Sequence, residues 1–241
     1  MNTYSELINK HEGGNCFIFG AGPSLRFIST DDLFPWLGKC GIKIAVNSSV
    51  IKCSNFDYWI SNDSLCRRWS WWIKVKNGDG IKIVRNSWEE YKDELDGFLY
   101  FEPRKDDSCI DEEEIGLVSC SSVPSALDLA LQMGCMNIFL IGVDHTEYKG
   151  KDHFWKFYPK NIWPKSTPPA QGPWDQQKSI FGNNINAYEA LNKYAEKKYA
   201  KIYNLNYIID GEYISKVDVF QKIQMKDIES VLGKINKYEK M

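Results

Sequence analysis

Four groups of residues have types and spacings suited to chemistry. The first is Gly20-Ala21-Gly22-Pro23-Ser24, directly after the apolar run Cys16–Phe19. Two glycines let a backbone turn tightly and approach a ligand closely, and amide groups opening a following helix favour a phosphate. The dinucleotide fingerprint is incomplete: Leu25 stands at its third glycine, and no acid follows the second apolar run, which ends Val46-Asn47. The turn therefore reads as a nucleotide or phosphate loop of a non-NAD kind, or as a plain strand–helix turn. The second group, Ser119 to Ser125, offers hydroxyls and amides where another helix begins, with Ser121, Ser122 and Val123 as its candidates. Ordinary capping by Ser121 or Ser122 explains it equally. The third is Asp144 with His145 and His153. A carboxylate at a strand end suits a ribose, a metal or an acceptor hydroxyl, and histidine is an acid or base near neutral pH. The fourth is Asn47, Asn62 and Asp63, which suit a neutral base or sugar, or simply a turn.

The elements that must position these groups are short apolar runs, each ending in small polar residues. Runs are expected as strands at 16–19, 42–46, 56–60, 81–84, 98–101, 138–143 and 201–205. Runs of this kind are buried on both faces and carry ligands at their carboxyl ends, as in a parallel sheet. Helices are expected over 65–75, where Trp69, Trp72 and Ile73 fall at i, i+3, i+4; over 125–133, closed by Gly134; over 185–199; and over 225–235 within a C-terminal segment 221–241. Val217–Phe220 reads as short and extended, or as a turn. Residues 102–116 read as a solvated excursion, and Glu112–Glu114 as wet surface. Residues 145–183, with five prolines and eight aromatics, show no regular element and read as a lid. The whole, residues 1–241, is expected to be one α/β domain with a Rossmann-like, mainly parallel sheet flanked by helices.

Composition removes several classes of function. Thirty Lys plus Arg against 32 Asp plus Glu leave a formal charge of −2, wrong for an electrostatically driven nucleic-acid binder. Arg67-Arg68 beside Trp69, Trp71 and Trp72 therefore reads as a packed helix with a basic edge. The seven cysteines show no CxxC spacing, so neither a zinc ribbon nor a disulfide framework is supported, and most of them are expected as core residues of a reducing compartment. No signal segment and no run of about 18 apolar residues is visible, so the expected location is cytoplasmic, with docking at the inner membrane face left open. There is no Gly-x-Ser-x-Gly elbow, Walker lysine or His-Glu-x-x-His. His11 sits in a polar segment away from these groups.

Taken together, Cys16–Leu25 (CFIFGAGPSL), Ala45-Val46-Asn47, Ser121-Ser122-Val123 with Ala126, Ala130 and Gly134, Ile141-Gly142-Val143-Asp144 and Lys201–Asn204 resemble a family. It is the Rossmann-like family containing archaeal 6-hydroxymethylpterin diphosphokinase, and the same skeleton is similar to bacterial sialyltransferases that build lipooligosaccharides. The resemblance implies that Gly20, Gly22, Pro23 and Ser24 face a donor phosphate, Asn47 its ribose or sugar, and Asp144 the base or ribose, with Ser121, Ser122 and Val123 lining a second turn. Two positions depart from the sialyltransferase pattern. Ala21 replaces an asparagine, and Ser179–Asn186 lacks the histidine that serves as general base. Either His153 takes that part from the lid, or the chemistry differs, or a donor site persists without it.

The leading expectation is a glycosyltransferase using a nucleotide sugar, a CMP-sugar first, in polysaccharide biosynthesis. His153 or Asp144 would deprotonate a glycan acceptor, and no metal is required. The alternatives are an ATP- and Mg-dependent pterin-type diphosphokinase and a non-catalytic nucleotide- or glycan-binding protein. Oligomeric state, sugar and acceptor stay open.

Overall fold

The structure is a computed structural model and describes residues 3–28, 37–159, 174–206, 208–209, 212–224 and 227, with side chains omitted at 174–183 and 209. Eight strands form one sheet in the order β10-β7-β6-β1-β2-β3-β4-β5. They are β1 (Asn15–Phe19), β2 (Ile42–Val46), β3 (Tyr58–Ser61), β4 (Ile81–Arg85), β5 (Leu99–Phe101), β6 (Asn137–Ile141), β7 (Lys201–Asn206) and β10 (Gln221–Gln224). Every pairing between them is parallel. The intervening β8 (Ile208–Ile209) and β9 (Glu212–Tyr213) form a separate antiparallel ribbon. The helices are α1 (Trp72–Asn77), α2 (Ser122–Gln132) and α3 (Trp174–Lys197).

Alternation along the strands divides the core in two. Cys16, Ile18, Ile44, Val46, Ile60, Ile83, Ile138 and Leu140 pack with Leu127, Leu131, Tyr188 and Leu191 of α2 and α3. Phe17, Phe19, Trp59, Val84, Phe139 and Ile141 face the other way, toward Leu25, Trp71, Trp72 and Trp88. Both faces are covered, which is why the strands read as unbroken apolar runs. The chain lays down β1 to β5 in one direction, then returns with β6 to the other flank of β1. The switch point therefore lies between β1 and β6, where open α/β sheets place their ligands.

Several expectations are corrected. Residues 65–75 are not one helix: a 3-10 turn over Ser64–Arg68 precedes α1. The break lets Trp71 and Trp72 both enter the core while Ile73 faces solvent, so the spacing Trp69, Trp72, Ile73 marks no buried face. The excursion at 102–116 is not wholly solvated. Arg104 is buried against Asp128 of α2 at 2.8 and 3.2 Å, and donates to the Asp111 and Glu114 carbonyls. The expected lid is shorter than 145–183, because α3 already begins at Trp174. Gln and Lys are sound helix formers there, but without an apolar stripe and with Gly182 they gave no periodic signal. In the segment 221–241, residues 221–224 form β10 rather than helix. The helix expected over 225–235 lies outside the described residues apart from Asp227. All seven cysteines are free, four of them buried.

Candidate functional site

The turn after β1 is held by the protein's own groups. Gly20 N–H donates to the Ile141 carbonyl and Gly22 N–H to the Gly142 carbonyl, both at 2.7 Å. Beyond them the Ser24 amide and hydroxyl donate to Asp144 Oδ2 and Oδ1 at 2.6 and 2.7 Å. This contact explains the glycines. A Cβ on Gly20 would lie 2.5 Å from the Gly142 carbonyl oxygen, and one on Gly22 would lie 2.5 Å from Asp144 Oδ2. Gly142 itself turns at φ +69°, a conformation glycine adopts without strain. The glycines thus admit the neighbouring strand end. The helix expected at Pro23 is a 3-10 turn of five residues, Pro23–Phe27, too short to sum peptide dipoles. The amide of Ala21, partly exposed, has no partner among the described residues.

Asp144, expected to meet a substrate, is buried and accepts from Ser24 at both oxygens. Burial pushes its carboxyl up to about 6 against the opposing pull of the Ser24 and Asn206 bonds. Asn206 Nδ2 also reaches Oδ1, and Ser215 Oγ with Asn204 Nδ2 holds the adjoining Val143 carbonyl. Asn204, Asn206 and Ser215 were not singled out beforehand. The only signal was the alternation Asn204-Leu205-Asn206, which puts two amides on one face of β7.

The second turn differs. Helix α2 precedes β6 and runs against the strands, so its N-terminus lies over their carboxyl ends. The N-cap residue Ser121 makes no side-chain cap bond, and the first turn carries no acid. The Ser122 hydroxyl is engaged elsewhere, accepting from Asn62 N–H at 2.9 Å. Capping by Ser121 or Ser122 is therefore not what occupies this end. The Ser121 hydroxyl and the Ser122 and Val123 amides have no partner among the described residues, and unpaired amides at a helix start favour negative charge.

Between the two turns stand the strand-end amides. Asn47 follows β2 at φ +50°, and its Oδ1 is buried without a partner among the described residues. An unpaired buried acceptor is costly unless something outside the chain satisfies it. Asn62 Nδ2 donates to the Ser119 carbonyl and Ser125 Oγ, so its amide ties β3 to α2. Asp63 Oδ1 accepts from Leu65 N–H at 2.9 Å and caps the turn after β3.

The described part of the lid packs onto the first turn. Phe154 N–H donates to the Ala21 carbonyl at 3.1 Å. This brings His153 to the rim. Its Nδ1 lies 2.9 Å from Asp152 Oδ1, its ring lies against Trp155, and its side chain is about one third exposed. Asp152 was missed, although it adjoins His153 in sequence. Lys156 also reaches its Oδ1, at 2.5 Å, and these two partners hold its carboxyl well below the usual range despite burial. The two atoms are close without hydrogen-bond geometry, so Asp152 is an electrostatic neighbour of a partly exposed imidazole, a residue type suited to acid–base work. His145 is a different histidine: at φ +47° its Nε2 meets the buried Tyr188 hydroxyl of α3 at 2.7 Å, and burial lowers it to about 4. His11 lies at the opposite, amino edge, with Tyr58 Oη 2.7 Å away. Among the described residues no three His, Cys, Asp or Glu side chains converge as metal ligands.

No protein-family model matches the chain, and no curated protein matches it. Among solved structures it is similar to the MAf glycosyltransferase from Magnetospirillum magneticum AMB-1. The TM-score is 0.54 at 14% identity, over 98% of this chain and 41% of that one. A second likeness is to the sialyltransferase CstII from Campylobacter jejuni, in complex with a substrate analogue, cytidine-5'-monophosphate. It has a TM-score of 0.44 at 12% identity, over 80% of each chain. The likeness is one of fold: an α/β sheet of the Rossmann kind. The chain spans well under half the length of the MAf glycosyltransferase. Among the described residues no helix is long and apolar enough to cross a membrane.

Proposed function

We propose that the chain is a glycosyltransferase module that takes a nucleotide sugar, a CMP-sugar first, at the carboxyl rim of β1, β2 and β3. The observation that carries this reading is the uncapped N-terminus of α2, whose free amides and Ser121 hydroxyl would take the donor phosphate. The partly exposed Ala21 amide would add a donor from the other side. Asn47, with its unsatisfied Oδ1, would accept a hydrogen bond from the ribose or the sugar. Sharing its fold with a glycosyltransferase supports the reading.

His153 is the acid–base candidate. Its Nε2 would take the proton of the acceptor hydroxyl as that oxygen attacks the anomeric carbon, and the bond to the donor phosphate breaks toward α2. Asp152 stabilises the imidazolium that results. The segment 153–158, tied to the first turn through the Phe154 amide, shields the donor from water. Asp144 is assigned to clamping Ser24, not to proton transfer. A leaving nucleoside monophosphate carries a single phosphate, so helix amides suffice for its charge and no divalent cation is required. The acids that a diphosphokinase would aim at Mg²⁺ have other partners here, Asp63 on Leu65 and Asp144 on Ser24.

Calorimetric titration of CMP, UDP, GDP, ATP and pterin, with and without Mg²⁺, tests the reading. CMP or UDP binding without metal, weakened by Ser121→Ala and Asn47→Ala, is expected. Binding of ATP alone, and only with Mg²⁺, overturns it.

A further inference from the structure

The first turn and the start of the lid form a surface that neither the donor nor the proton transfer uses. Tyr148-Lys149-Gly150-Lys151 is a tight turn, with Tyr148 and Lys151 exchanging backbone bonds at 3.0 and 3.1 Å. Its central residues stand at φ +51° and +70°, the type I′ form. Lys151 Nζ and Arg26 Cζ each lie 4.7 Å from the centroid of the Phe157 ring, and Lys149 Nζ lies 5.4 Å from that of Tyr148. Phe27 and Tyr148 meet edge to face at 5.8 Å, and the Tyr148 and Phe157 centroids are 6.1 Å apart. Among the described residues, Arg26, Lys149 and Lys151 have no carboxylate partner. The nearby Asp152 is committed to His153 and Lys156.

Three cations without a carboxylate partner among the described residues, set over aromatic rings, form a site with two demands. The exposed Phe27 ring and the uncovered parts of the other two can accept the C–H groups of a sugar, and the cations require negative charge in return. We propose that this surface is the acceptor subsite and that it takes a negatively charged glycan, one bearing carboxylate, sulfate or phosphate. It sits beside His153, which precedes the Phe154 amide bound to Ala21. This rests on the transferase reading, and it adds the class of acceptor. A membrane surface fits less well, because of the three rings only Phe27 is notably exposed.

The test is direct binding to the full chain of tetragalacturonate and of its carboxyl-reduced, neutral counterpart, with CMP titrated in parallel. The charged tetramer is expected to bind about tenfold tighter, and less tightly as salt rises. The double variant Arg26→Gln/Lys151→Gln is expected to lose that preference while keeping its CMP affinity. Lys149→Gln alone, on an exposed side chain, is expected to lose part of it. Equal binding of the two tetramers overturns the inference. So does tighter binding of polyglutamate or of phosphatidylglycerol vesicles than of tetragalacturonate. Absence of nucleotide binding with the charge preference intact refutes the transferase reading instead, and leaves an acidic-glycan binding surface.

Discussion

The turn after β1 and the turn before α2 look alike in sequence. Each has small residues and serines, a proline, and a helix start at the same edge of the sheet. Their fates are opposite. In the first, glycine permits a second backbone to press in, and Asp144 takes up the Ser24 amide and hydroxyl. In the second, the hydroxyl placed to cap the helix is free of that duty, and its neighbour Ser122 holds Asn62. A glycine-rich loop is thus no evidence of a ligand until the atoms facing the glycines are known. A closed turn holds the rim together, while an open one keeps its amides unpaired among the described residues.

Substitutions at the closed turn should be the most damaging to stability. Gly22→Ala drives a Cβ into Asp144 and the Gly142 carbonyl, and should cost about 3 kcal/mol or more by chemical denaturation. Asp144→Ala strands two buried donors and should cost about 2–4 kcal/mol. Either variant folding at wild-type stability would mean that the clamp is dispensable.

The closed region should also hide two opposed titrations. Asp144 titrates at about 6 when folded, so the folded state binds its proton first and stability falls as pH rises from about 4 to 6. His145 titrates at about 4 when folded, so the unfolded state binds its proton first and stability rises from about pH 4 to 6.5. Each is worth on the order of 3 kcal/mol at full extent. Measured unfolding free energies should change less across this window in the wild type than when either group is removed. Asp144→Asn should unmask a loss of stability toward acid, and His145→Asn a gain. Identical pH profiles in all three proteins would refute the pairing.

Smaller effects sharpen the contrast at the open turn. Ser122→Ala removes the acceptor for Asn62 and should cost about 1–2 kcal/mol. Ser121→Ala should cost under about 0.5 kcal/mol, less than the loss of a working cap, while weakening CMP binding about tenfold. A full capping loss at Ser121 with unchanged CMP affinity would show this turn to be structural as well. Asn47→Gly should change stability by a few tenths of a kcal/mol at most, since glycine tolerates the left-handed backbone, and should still lower nucleotide affinity.

Much of the fold was legible because it rests on local pattern. Seven of the eight strands of the sheet were placed by apolar runs bounded by Gly, Ser, Asn and Asp. Helix α2 was placed by its periodicity, and only its first turn was missed. The early start of α3 escaped because its first half has no apolar stripe, and β10 because Gln221–Gln224 lies at an edge and reads as polar. The buried Arg104–Asp128 pair escaped because two charges far apart in sequence announce nothing until a helix and a loop meet.

The site divides in the same way. That Asn47, Asn62, Asp144, Ser121 and Ser122 stand at the carboxyl rim follows from where each apolar run stops, and strand ends are written in consecutive residues. Which of them face solvent and which face one another does not. Asp144 could have met a ribose or Ser24, and Ser122 could have capped α2 or held Asn62. Those choices belong to distances between β1 and β6, or β3 and α2, set by packing across the sheet. A hydrogen-bonding side chain has many possible partners along a chain, and only the folded backbone brings one of them within 3 Å.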